Sequence, residues 1–261
     1  MLKTFKIGGI HPADNKLTRG AAIEDFGVPA TVTIPVSQHI GAPASPVVKK
    51  GDNVKVGQVI ATATGFVSSN IHASVSGTVT AVDNVPDGGG LRKQAIVIQV
   101  EGDEWEEGID RTDTLVKECD LDAKEIVAKI AAAGIVGMGG ATFPTQVKLS
   151  VPPGKKAEFL IINGVECEPY LTADHRVMLE RGEELLVGIK ILMKCLGVEQ
   201  AYIGIENNKP DAIAHLSGLA AGYEGIEIVP LRMKYPQGGE KQLIDAVIGR
   251  QVPSGRLPID V

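Results

Sequence analysis

Near residue 120 the hydrophobic pattern of the chain changes its period, and that change forces two architectures into one polypeptide. Upstream, apolar stretches are short and alternate, at residues 31–36, 45–48, 59–63, 75–82 and 95–100, with Gly, Pro, Asn and Asp between them. No helical period runs through residues 28–100, and short alternating strands split by turn residues build a small barrel or sandwich. Downstream, helix and strand alternate. Asp120 or Asp122 caps a helix through residues 130–133, which Gly134 closes. Residues 158–163, 201–205 and 226–231 read as strands. Helices are expected over 176–196, broken near Gly182 and stopped at Gly197, from Pro210 to Leu219, and over 242–248. Near-continuous apolar strands in helix–strand order imply a parallel sheet covered on both faces.

Such sheets bind ligands beyond the carboxyl ends of their strands, so the loops there carry the chemistry. The loop after Ile162 reads Asn163-Gly164-Val165-Glu166-Cys167-Glu168-Pro169-Tyr170. Its amide and two carboxylates suit ribose hydroxyls or a ring amide, and a carboxylate on a ribose rejects a 2′-phosphate, favouring NADH over NADPH. A solvated acidic loop is the plainer alternative. After Leu231 comes Lys234-Tyr235-Pro236-Gln237-Gly238-Gly239-Glu240, which again joins glycines to a carboxylate before a helix. The third loop is Gly137-Met138-Gly139-Gly140-Ala141-Thr142-Phe143-Pro144-Thr145, with Lys148 about one turn further on. Glycines let backbone N–H groups approach an anion, Pro144 suits the first position of a short helix, and Lys148 adds a point charge. Taken alone, this cluster reads more readily as a mobile loop between two elements. The three loops together point to a nucleotide or flavin site.

Composition narrows the classes. A net charge of −6 and a pI near 5.5 disfavour a nucleic-acid grip. No apolar run reaches the roughly 20 residues of a membrane span, and the first nine residues lack the apolar region of a signal peptide. Cys119, Cys167 and Cys195 form no CxxC pair, the five histidines show no ligand spacing, and no metal site is expected. The scattered cysteines suit a reducing compartment. A simple buried cysteine is the expected state of Cys167.

The three loops resemble the flavin- and NADH-binding loops of the flavoprotein subunit of respiratory complex I. They resemble more closely the RnfC family of Rnf electron-transport complexes. Gly8-Gly9-Ile10-His11-Pro12 and the segment from Pro46 to Gln58 add to that likeness, which covers nearly the whole chain. The resemblance implies a fold: an α/β chain with an N-terminal all-β part, a barrel-sandwich hybrid of lipoyl/biotinyl type (residues 1–115, core about 28–100). A Rossmann-like parallel-sheet domain that binds FMN and NADH follows (116–261). It also implies an NADH-oxidising, FMN-carrying subunit of a membrane complex that exchanges electrons between NADH and ferredoxin, coupled to Na⁺ or H⁺ movement. Gly137, Met138, Gly139, Gly140 and Lys148 would hold the flavin phosphate and nearby groups. Asn163, Glu166 and Tyr235 would face the flavin, and Phe143, Glu168 and Glu240 would take NADH. Flavin carries the chemistry, so no catalytic acid or base is implied. The implied partners are the other Rnf subunits, membrane subunits and a ferredoxin-like subunit among them, with ferredoxin reached indirectly. The implied place is the cytoplasmic face of the bacterial inner membrane.

Three positions depart from the complex I pattern: Met138 stands for Arg, Val165 for Asp, and Gly239 for the first of two Glu. The family's C-terminal β-grasp-like domain and 4Fe-4S cluster motifs have no counterpart in this sequence, which therefore reads as a fragment without cluster ligands. Gly51 to Ile60, followed by Ser74 to Val79, resembles a lipoyl or biotinyl carrier. The hairpin that would display a modified Lys, residues 64–70, contains none, so this barrel is expected to serve packing or docking. A non-catalytic docking module with an empty nucleotide site is the competing expectation for the whole chain.

Overall fold

Seven strands form the all-β part of the computed structural model, which describes residues 2–261. They are β1 (Thr31–Pro35), β2 (Ser45–Pro46), β3 (Asn53–Val54), β4 (Val59–Thr62), β5 (Ile71–His72), β6 (Gly77–Pro86) and β7 (Arg92–Val100). Two antiparallel sheets result, in the orders β1-β7-β6-β3 and β2-β4-β5. Their inward residues meet in one core that includes Ile34, Val54, Ile60, Ile71, Val79, Ile96 and Ile98. With aromatics at only 4% of the chain, small and β-branched side chains fill it. This is the barrel-sandwich hybrid.

Two helices follow, α1 (Ala123–Ala132) and the five-residue α2 (Thr145–Leu149). Asp122, not Asp120, caps α1. Its carboxylate accepts from the N–H groups of Lys124 and Glu125, and Glu125 bonds back to the Asp122 N–H at 2.8 Å, closing a capping box. Asp122→Ala is expected to cost about 1 kcal/mol in denaturant unfolding. Pro144 sits one position before α2 rather than at its first residue.

The α/β part contains β8 (Leu160–Asn163), α3 (Ala173–Glu180), α4 (Gly182–Leu196), β9 (Ala201–Glu206), α5 (Pro210–Ala220), β10 (Ile226–Leu231) and α6 (Glu240–Ile248). The strands are parallel, in the order β10-β9-β8. Ile203 and Ile205 pack on one face with Leu186, Ile189 and Met193 of α4 and Leu216 of α5. Val229 and Leu231 pack on the other face with Leu243, Ala246 and Val247 of α6. Both faces are therefore covered, as fully apolar strands require. The helical region breaks where Gly182 meets Leu219 and His215 of α5. A Cβ there would stand 2.8 Å from a Leu219 methyl.

The described chain divides into two units. One takes Asp25–Thr114 and Leu121–Ser150, so it joins the barrel, α1 and α2. The other takes the chain up to Glu24, Leu115–Asp120 and Val151–Val261, and it contains the parallel sheet.

Candidate functional site

The glycine loop belongs to the barrel's unit, and the barrel hairpin holds it. Asn70 donates through Nδ2 to the Ala132 carbonyl at 3.2 Å, and Gln146 donates through Nε2 to the Ser68 carbonyl at 2.8 Å. Gly134 ends α1 at φ +67°, and a Cβ there would stand 2.3 Å from the Asn70 carbonyl oxygen. Beyond it the chain turns back on itself. The Gly137 N–H donates to the Phe143 carbonyl at 2.9 Å, Thr145 N–H to Ile135 at 3.0 Å, and Thr142 N–H to Gly139 at 3.3 Å. The Lys148 ammonium lies over Gly137, where a Cβ would stand 2.9 Å from Nζ. Met138 is 90% exposed. A Cβ on Gly139 would meet nothing within 4 Å, and its φ lies outside the left-handed region. Neither packing nor backbone conformation requires a glycine there. Open backbone at Gly139 and a lysine ammonium over nearby Gly137 in the same turn are features that suit a phosphate ester, so the residues present fit the phosphate end of a flavin nucleotide.

The other loops sit at the carboxyl edge of the parallel sheet. Asn163 ends β8. Its Oδ1 accepts from the Val165 N–H at 3.1 Å and its Nδ2 donates to the Gly238 carbonyl at 3.0 Å, which ties two of the loops together. Glu166 is buried. Its Oε1 accepts from the Asp174 N–H at 2.9 Å, while its buried Oε2 has no hydrogen bond and lies 3.8 Å from the Lys16 ammonium. Glu168 is exposed in the same loop, and Glu240 is exposed at the first turn of α6. Tyr235 exchanges two backbone hydrogen bonds of 2.9 Å with Ile10. A small cavity at this edge is lined by Asp14, Lys16, Glu166, Glu206, Asn208 and Tyr235, among others.

Charge is concentrated beneath the edge. Glu206, the last residue of β9, and Lys209 are both buried, with Nζ 3.5 Å from Oε2. Burial pushes the Glu206 carboxyl up and the Lys209 ammonium down. Burial, then the Glu166 charge, also raises Asp174. Burial raises the Cys167 thiol, which makes it a poor nucleophile at neutral pH.

Asn163, Glu166, Glu168, Tyr235 and Glu240 thus share one sheet edge, while Gly137–Gly140, Phe143 and Lys148 lie on the loop carried by the barrel's unit. Lys16, Glu206, Asn208 and Lys209 are absent from the sequence-based expectations. Glu206-Asn207-Asn208-Lys209 follows a strand, so the rule that selected Asn163 applies to it equally. Lys16 lies in an arm without period, and nothing local marks it. Among the described residues no His, Cys, Asp or Glu cluster is arranged to hold a metal ion, and no helix is long and apolar enough to cross a membrane.

An antiparallel barrel-sandwich followed by a parallel sheet with loops at its carboxyl edge places the chain in a class shared by two known families. The family described as Nuo51 FMN-binding domain matches residues 130–261, and the RnfC barrel sandwich hybrid domain matches residues 3–103. Three curated relatives align along the chain, each an RnfC-type subunit of a larger complex. That of the proton-translocating ferredoxin:NAD(+) oxidoreductase complex of Clostridium ljungdahlii is 54% identical over all of this chain and 56% of its own length. That of the Na(+)-translocating ferredoxin:NAD(+) oxidoreductase complex of Acetobacterium woodii is 48% identical over 98% of this chain and 58% of its own. That of the ion-translocating oxidoreductase complex of Rhodobacter capsulatus is 45% identical over all of this chain and 50% of its own. The chain belongs to the RnfC family of ion-translocating oxidoreductase complexes. It spans about half the length of the curated relatives it matches.

Proposed function

We propose that this chain supplies the FMN- and NADH-binding part of an ion-translocating NADH:ferredoxin oxidoreductase. The observation that carries this reading is the glycine loop. Gly139 is bare where the fold needs no glycine, and Lys148 stands over Gly137 in the same turn. The family match to an FMN-binding domain supports the same reading. Bound FMN supplies the two-electron acceptor for hydride from NADH. The loop of Gly137, Met138, Gly139 and Gly140, with Lys148, would hold the phosphate, although the Gly137 N–H itself is taken by the Phe143 carbonyl; Met138 offers no side-chain charge, so Lys148 carries that part. Asn163, Glu166 and Tyr235 orient the flavin. Phe143 stacks on the nicotinamide nucleotide, and Glu168 and Glu240 take its hydroxyls, a placement that disfavours a 2′-phosphate. Onward transfer would need 4Fe-4S clusters, for which the described residues supply no ligand set, and the partners are the remaining subunits of a complex at the cytoplasmic face of the membrane.

Titration of the chain with FMN, followed by anaerobic NADH, tests this reading. The expected result is quenched flavin fluorescence on binding and bleached visible flavin absorbance on adding NADH, with NADPH much less effective. A chain that neither retains FMN nor binds NADH is a docking module instead.

A further inference from the structure

The N-terminal arm contains a lysine that none of the proposed nucleotide contacts uses. Lys16 is 4% exposed. Its ammonium donates to three backbone carbonyls of one loop: Glu166 at 2.7 Å, Glu168 at 3.0 Å and Leu171 at 2.5 Å. An ammonium has three protons, and all three go to carbonyls. The Glu166 carboxylate, 3.8 Å away, therefore receives the charge of Lys16 without a hydrogen bond from it. Glu166 Oε2 stays buried, without a hydrogen bond among the described residues, and Glu166 lines the cavity at the sheet edge.

The loop from Gly164 to Leu171 has no helix or strand to shape it, and the arm shapes it instead. The Tyr170 N–H donates to the Asp14 carbonyl at 2.9 Å, Thr18 and Thr172 share a 2.5 Å hydroxyl hydrogen bond, and Arg176 reaches the Arg19 carbonyl at 3.0 Å. Burying a lysine is costly unless its charge and protons are matched. An apolar residue would fill the same space at less cost, so the cation is explained by what it organises.

We infer that Lys16 is a positioning residue of the nucleotide site. It converges three carbonyls of the acidic loop and thereby fixes Glu166 and Glu168 in the shape that binds ligand. Oε2 of Glu166 is then left as a ready acceptor for a donor group of the ligand. This inference rests on the FMN and NADH reading and deepens it.

Lys16→Met and Lys16→Arg in the whole chain test it, with thermal unfolding, FMN affinity, the spectrum of bound flavin and amide hydrogen exchange measured together. Arg keeps the charge, which removes the objection that the variant cannot fold. Its planar fork, however, does not present three protons from one nitrogen. Each variant is expected to lose about tenfold in FMN affinity, comparable to one hydrogen bond to a charged group, and to shift the spectrum of bound flavin. The Tyr170 and Asp174 amides should exchange faster, while Gly137 and Thr145 in the other unit do not change. A merely structural role would lower the melting temperature and leave the affinity and spectrum of the folded protein at wild-type values; that result overturns the inference. Should the wild-type chain bind no flavin, the proposed function fails, whereas unchanged Tyr170 and Asp174 exchange in the variants would separately refute the ordering role of Lys16.

Discussion

Lys209→Met is expected to destabilise the chain by roughly 3–5 kcal/mol at neutral pH, the usual cost of removing one partner of a buried ion pair. Lys209 is 1% exposed and Glu206 is fully buried, so bulk water does little to screen either charge. Glu206 Oε2 faces the ammonium at 3.5 Å, and Oε1 accepts the Lys234 N–H at 3.2 Å. In the variant, the Lys234 N–H and the more distant charge of Lys16 are left to support a carboxylate beneath the sheet edge. The pH dependence follows from direction. Burial already holds the Glu206 carboxyl above its ordinary 4.5, and loss of the Lys209 charge raises it further. Between 4.5 and that raised value the folded chain keeps a proton that the unfolded chain has lost, so stability falls as pH rises through this window. The variant should therefore stand closest to wild type in mild acid and furthest from it at neutral pH. Glu206→Gln combined with Lys209→Met removes both charges and is expected to recover much of the loss. Urea unfolding of the three proteins at the two pH values checks this. A single variant within about 1 kcal/mol of wild type at neutral pH would show that the pair contributes little.

Much of this architecture is legible in the sequence because it depends on neighbours along the chain. The cap offered by Asp120 or Asp122, the stop at Gly197 and the near-continuous apolar run over residues 201–205 are local devices. β3 and β5 are not legible. Each is two residues long and exists only through pairing with β6 and β4. At the site, the loops after β8 and β10 stand out because they follow apolar strands. Glu206 and Lys209 follow the same rule but are masked by their resemblance to a solvated polar turn. Lys16 is invisible in principle, since its partners are carbonyl oxygens, which carry no residue signature, about 150 positions away. The support of the glycine loop by Ser68 and Asn70 is equally long-range and leaves no pattern.

Two glycines of that loop separate the needs of the fold from the needs of a ligand. Gly134 holds φ +67°, and a Cβ on it would drive into the Asn70 carbonyl oxygen, which is backbone and cannot rotate away. An alanine there incurs about 1–2 kcal/mol for the left-handed conformation and a further 1–3 kcal/mol or so for overpacking. Gly134→Ala is therefore expected to lower stability by roughly 2–5 kcal/mol. Gly139 has an ordinary φ and open space around it. Gly139→Ala should leave stability within about 0.5 kcal/mol of wild type, or raise it slightly by restricting the unfolded chain. If a phosphate ester lies against this backbone, the added methyl blocks its approach, and FMN affinity should fall by about tenfold or more, an effect worth at least about 1.4 kcal/mol of binding. The pair is read by chemical unfolding without ligand and by FMN titration of the folded protein. Loss of FMN affinity without loss of stability in Gly139→Ala places a ligand on the loop. Unchanged affinity there, beside a destabilised Gly134→Ala, means that the glycines serve the turn alone, and the phosphate role then passes to some other part of the chain.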